Sequence, residues 1–204
     1  LQLHENQKAI TLFQQLKTLN PHYQSLYLYL AEALQEEEQL EEAKAVIEEG
    51  IAENPFQVEL YQFASENAYR LHDIAGAENW LLKALELGEK TDESRLTLSN
   101  LYLTEERFEE VITILNDLEE TDHPYAEWNL AKAYNELEDF AVAKVHYEQA
   151  AQELSHEPEF LKEYALFLRE EGELEKAKHL LYHYLEHEPG DVDMQSVLAD
   201  MEER

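Results

Sequence analysis

The 204 residues include 46 Asp and Glu against 15 Lys and Arg, a formal net charge of −31 at pH 7. Phosphate contacts need clustered cations, so this balance argues against nucleic acid and anionic membrane surfaces as partners, and favours basic partners and solubility. With 44% hydrophobic residues the chain can still bury a continuous core, and no stretch approaches the ~20 apolar residues of a membrane span.

A small residue recurs at Ala9, Ala43, Ala77, Val111, Ala143 and Ala177, at intervals of 34, 34, 34, 32 and 34 residues. A unit of that size cannot bury its own apolar face, so the copies must stack on one another. Residues 1–23 read as half a copy, a helix carrying Ala9 and Phe13 and stopped at Pro21. The first full copy, 24–57, places Tyr27, Leu30, Ala31 and Leu34 on one helical face, passes a polar joint at 35–39, and continues with Leu40, Ala43 and Ile47 to Pro55. Spacings of three and four are the signature of an amphipathic helix, and proline ends a helix but suits the first turn of the next. The second copy, 58–91, has its joint at 71–73, followed by Ile74, Ala77 and Leu81, and ends with Glu89 in the proline column. The third, 92–123, is two residues shorter, with Phe108, Val111 and Leu115 after its joint, and the packing is expected to be loosest around 90–125. The fourth, 124–157, carries Phe140, Ala143 and Tyr147. The fifth, 158–191, runs from Leu161, Tyr164, Ala165 and Leu168 through Leu174, Ala177 and Leu181 to Pro189. A polar helix from Val192 to Glu203 suits a capping element. The small column marks the close crossings between helices, where a bulky side chain would hold backbones apart. Because it opens at Leu1, inside a copy, the chain is expected to be a piece of a longer one.

Catalytic chemistry finds little support. The five glycines lie far apart at helix joints and cannot build a phosphate-cradling loop, and no HExxH or GxSxG string occurs. The absence of cysteine excludes thiol catalysis and is compatible with a reducing cytoplasm. The expectation is a non-enzyme without cofactors. His179, His183 and His187 recur every fourth residue, and His179 with His183 could hold one zinc, but the outer two of the three stand ~12 Å apart along the axis. Asp191, Asp193, Gln195 and Glu202 are spaced like calcium-loop ligands, but Ser196 stands where the sharp turn needs glycine.

The order of columns resembles the tetratricopeptide repeat, carried by Tyr27, Leu30, Ala31, Leu34, Ala43, Ile47, Gly50 and Pro55, and again by Leu161, Tyr164, Ala165, Leu168, Gly172, Ala177, Leu181 and Pro189. That family's usual tryptophan is replaced by Tyr27, Tyr61, Arg95, Glu127 and Leu161. The resemblance implies an all-α, right-handed α-solenoid of antiparallel helix pairs, about eleven or twelve helices long, acting as a non-catalytic protein-binding module. It also implies a concave groove lined by Tyr29 and Glu32 in the first copy, Glu59, Phe63, Glu66, Tyr69 and Arg70 in the second, and Asn100 in the third. The fourth copy would add Tyr125, Trp128, Asn129 and Lys132, and the fifth Glu163, Lys162 and Arg169. Aromatics beside carboxylates suit a basic or amphipathic peptide, whereas Lys132, Lys162 and Arg169 near Trp128 would suit an acidic group. Some members grip chaperone tails with a Lys, Asn, Asn, Lys, Arg constellation. Here those places hold Leu28, Glu32, Phe63, Glu93 and Thr97, so no such clamp is implied. The alternative is a scaffold that self-associates through its ends or outer faces.

Overall fold

The computed structural model describes residues 2–20, 23, 25–88, 91–118 and 123–203, with side chains from Asn6 onward. Leu1, Pro21 and Glu89 lie outside the described residues. All regular structure among the described residues is helical: α1 (Gln2–Leu19), α2 (Leu26–Glu36), α3 (Leu40–Glu53), α4 (Val58–Arg70), α5 (Ile74–Glu86), α6 (Thr91–Thr104), α7 (Phe108–Leu115), α8 (Pro124–Glu136), α9 (Phe140–Ala150), α10 (Pro158–Glu170), α11 (Leu174–His187) and α12 (Val192–Glu202). The chain forms two compact units, Leu1–Glu105 with α1 to α6 and Glu106–Arg204 with α7 to α12. Each is a helix stack of α-solenoid type in which sequence neighbours pack together, α1 through α6 in the first unit, α7 to α9 and α10 to α12 in the second.

The repeating columns form the core. Ala43, Ala77, Val111, Ala143 and Ala177 are 0–1% exposed, and the large residues four positions on, Ile47, Leu81, Leu115, Tyr147 and Leu181, are 0–3% exposed. The column three positions earlier is less covered than its periodicity predicts. Leu40, Ile74, Phe108 and Leu174 are half-buried and Phe140 is exposed, because each opens its helix and only the joint covers its outer side. Gly50 answers a specific need: a Cβ there would lie 2.7 Å from Tyr27 Cβ and 2.9 Å from its Cγ, so α3 can approach α2 only without a side chain.

One cap closes every joint. Glu38, His72, Glu106, Glu138 and Gly172 all adopt positive φ, between 57° and 80°. In four of these joints the next amide donates to the carbonyl five residues back: Gln39 to Leu34 at 2.9 Å, Asp73 to Ala68 at 2.8 Å, Asp139 to Tyr134 at 2.9 Å and Glu173 to Leu168 at 2.8 Å. This left-handed cap satisfies the last carbonyls of the first helix and reverses the chain in very few residues. Asp73 then caps α5 by accepting from Gly76 N at 2.9 Å.

A second column pair varies in chemistry while keeping its contact. In the second copy Tyr61 meets Trp80 edge-on with centroids 6.0 Å apart. In the fourth, the equivalent residues are Glu127 and His146, with Oε2 2.6 Å from Nδ1 and side chains only 13% and 19% exposed. Tyr134 stacks on the His146 ring at 5.3 Å and covers the pair. Polar side chains also tie the first two copies together. Gln35 Nε2 donates to Asn67 Oδ1 at 3.2 Å and Asn67 Nδ2 to Leu40 O at 3.0 Å. Arg70 Nη2 donates to Gln35 O at 2.8 Å.

Candidate functional site

In the first unit α4 and α6, each the first helix of its copy, form the walls of a groove of ≈610 Å³ whose floor includes Ala77 and Leu81 of α5. The heptad spacing of Glu59 and Glu66 on α4, and of Glu93 and Asn100 on α6, sets these residues on one face two helical turns apart. Phe63 and Tyr69 line the same wall, and no Lys or Arg is among the lining residues. Phe63 packs its inner side against the cluster of Ala31, Ile47 and Ala64, which fixes the ring, whereas Tyr69 is 44% exposed. The groove therefore combines a rigid apolar floor with carboxylates at both ends, a pairing that attracts cationic side chains carried beside an apolar anchor.

The other residues expected on this face are placed differently. Tyr29 is exposed on α2 and stacks on Phe13 with centroids 5.9 Å apart, and Glu32 is exposed on the same helix; neither lines the groove. Arg70 turns away from it. Its guanidinium pairs with Glu38 at 3.0 Å as well as with Gln35 O, serving the joint that ends α2.

In the second unit Trp128 and Lys132 on α8 meet Glu163 on α10. Trp128 Nε1 and Tyr147 Oη both donate to Glu163 Oε1, at 3.0 Å and 2.8 Å. Lys132 Nζ sits 4.4 Å from the Trp128 ring centroid, and Trp128 meets Phe160 edge-on at 5.5 Å. Burial pushes the Glu163 carboxyl up, against the pull of Tyr147, Lys132 and Trp128. It pushes the Tyr147 phenol up and the Lys132 ammonium down. Glu163 is the centre of this network. It was expected on the groove face, and the only sequence signal for its pairing with Trp128 is their distance, one repeat plus one residue. Tyr125 is exposed, with its ring 6.4 Å from that of Trp128.

Asn129 is a correction: expected on the groove, it is 3% exposed and sits in the packed side of α8. Each residue turns an α-helix by about 100°, so a neighbour of a groove residue readily faces inward. The basic cluster expected near Trp128 is also dispersed. Lys162 Nζ pairs with Asp191 at 3.0 Å beside the Tyr184 ring, and Arg169 lies 3.7 Å from Glu170. The Asp191 carboxyl, holding Tyr184 Oη, Lys162 and the Met194 amide, is drawn down to about 2. His183 lies 5.4 Å, ring to ring, from His187 and 6.1 Å from His156, a neighbour that the helical spacing did not reveal, while His179 is exposed. Among the described residues no group of three or more His, Cys, Asp or Glu could hold a metal ion. No described helix is long and apolar enough to cross a membrane.

A family model described as "Tetratricopeptide repeat" matches residues 1–65, and one described as "YpiA-like, C-terminal tetratricopeptide repeats" matches residues 124–191. The chain belongs to the tetratricopeptide-repeat family. It is 32% identical over 197 residues to the TPR repeat-containing protein YpiA of Bacillus subtilis, covering 96% of this chain and 47% of that protein, so it spans about half of that relative's length. Among solved structures it resembles PilF of Pseudomonas aeruginosa, with a TM-score of 0.77 at 15% identity, covering 98% of this chain and 91% of that one. It also resembles YrrB, described as a TPR protein with an unusual peptide-binding site, with a TM-score of 0.65 at 14% identity over 91% of this chain and 96% of that one. At such identities these structures speak to the tetratricopeptide fold alone. Proteins of this family are generally protein–protein interaction modules.

Proposed function

We propose that this tetratricopeptide chain is a non-catalytic binding module of the cytoplasm that takes a basic or amphipathic peptide segment in the groove between α4 and α6. The observation that carries this reading is the composition of that groove: Phe63, Tyr69 and Leu81 beside Glu59, Glu66 and Glu93, without a cation among the lining residues. A net charge of −31 adds a long-range field that steers basic ligands and weakens with salt, since screening sets in over about 8 Å at physiological ionic strength. Selection from a displayed peptide library tests it. The chain should enrich sequences of net positive charge with an apolar residue, and the Glu66→Lys, Glu93→Lys double variant should not. Enrichment of acidic sequences, or enrichment indifferent to the reversal, would refute the reading.

One observation favours a second reading, self-association as a scaffold. On α1, Leu12 and Leu19 lie seven residues apart on one face and are 63% and 82% exposed. Sedimentation at high protein concentration separates the two, because a monomer there leaves the scaffold without support.

A further inference from the structure

The position of the groove's carboxylates narrows the ligand, on the reading that this groove takes a peptide. Glu66 and Glu93 are exposed, and among the described residues neither makes an ion pair. They stand at opposite corners. Glu93 opens α6, and Glu66 occupies on α4 the place that Asn100 occupies on α6, two turns further on, so the two carboxylates differ by about 10 Å along the helix axes. Directly packed helices stand about 10 Å apart, and with at least that much between the walls the diagonal is at least roughly 15 Å. Phe63, one turn before Glu66 on α4, and Leu81 of α5 supply apolar lining to the same groove. Beside them the Gln62 side chain lines the groove with its Nε2 shut off from water and without an acceptor, an amide that an incoming carbonyl would satisfy after a small rotation.

An extended chain advances about 3.3 Å per residue and shows residues i, i+2 and i+4 on one side, so i and i+4 are about 13 Å apart with i+2 between them. Lys and Arg are long enough to make up the small remainder. We infer that the groove selects an extended segment of the pattern basic, any, aliphatic, any, basic. The outer side chains reach Glu93 and Glu66, and the central one lies on Phe63 and Leu81. A backbone carbonyl of the segment faces Gln62. A helical ligand fits less well, since i and i+4 then stand only about 6 Å apart.

The test uses two end-blocked peptides of one composition, titrated into the ¹⁵N-labelled chain and followed by amide resonances. One reads Ala-Lys-Ala-Leu-Ala-Lys-Ala; the other, Ala-Ala-Lys-Lys-Leu-Ala-Ala, brings the lysines together. The patterned peptide should shift resonances of α4 and α6 and bind roughly fivefold more tightly than its isomer, the advantage of one further solvent-exposed ion pair. That advantage should vanish in the Glu66→Gln, Glu93→Gln variant, whose surface substitutions are checked for unchanged helicity. Equal binding of both peptides at α4 and α6 would overturn the pattern and leave the groove reading intact. Shifts confined to other helices, or no shifts at millimolar peptide, would overturn both.

Discussion

Glu127 and His146 occupy two positions that hold Tyr61 and Trp80 in the second copy and Leu161 and Leu180 in the fifth. Their contact of 2.6 Å is nearly closed to solvent, with Tyr134 lying over the imidazole. Replacing Glu127 by leucine leaves the His146 ring nitrogen without its partner, and replacing His146 by leucine does the same to the carboxylate. Each single change should cost about 1–3 kcal/mol, the desolvation penalty of an orphaned group. Replacing both restores the aliphatic pairing of the fifth copy and should be neutral or stabilising. The cycle therefore predicts a coupling of about 2 kcal/mol or more, whereas residues that merely share a neighbourhood add within about 0.5 kcal/mol. Urea unfolding measures it. The chain has 2 tryptophans, and a Trp80→Phe background leaves Trp128, next to Glu127, to report on the second unit by fluorescence. Additive single-variant costs would refute the claim that these residues act as a matched pair.

The joints make a second prediction. Glu138 holds φ at 60°, a conformation costing a non-glycine residue about 1 kcal/mol, so Glu138→Gly should raise stability by several tenths to 1 kcal/mol while Gly172→Ala lowers it by about as much; unfolding midpoints of the two variants would show it. Gly50→Ala forces a methyl into Tyr27, and the cost of overpacking, about 1–3 kcal/mol, should outweigh the gain in helix propensity, a balance that thermal unfolding reads as a lower midpoint. The Asp191 carboxyl titrates at about 2 in the folded chain, below the ~3.9 of a free side chain, so its stabilising effect is complete above about pH 5 and fades as pH falls through 4 towards 2. The stability gap between the parent chain and Asp191→Asn should accordingly be present at neutral pH and shrink in acid; a gap independent of pH would contradict the assigned partners. Hydrogen exchange should find α7, at 8 residues the shortest of the described helices, less protected than α3 or α5.

Helix positions and the buried columns were legible because one period of about 34 residues repeats Ala43, Ala77, Ala143 and Ala177 in register, and burial follows that period. The composition of the α4 and α6 faces was legible too, since Phe63, Glu66 and Asn100 fall at helical spacing. Long cations were not. Arg70 finds Gln35 and Glu38, and Lys162 finds Asp191, partners some thirty residues away whose choice depends on how neighbouring copies settle. Asn129 failed for a different reason: beside Trp128, a single step around the helix separates the groove face from the core. Glu163 was expected on the groove face, but its enclosure was not legible, because it depends on Tyr147 and Trp128 arriving from two other helices.

The ladder from Arg70 to Gln35 and from Gln35 through Asn67 to Leu40 stitches the first two copies across their shared boundary with side chains that neither copy can satisfy alone. In a repeat protein the ease of tearing one unit from the next is set by such nearest-neighbour terms. Pulled from its ends, this stretch should therefore lose both copies in one rupture rather than two, so that the smallest mechanical element there is a pair of repeats.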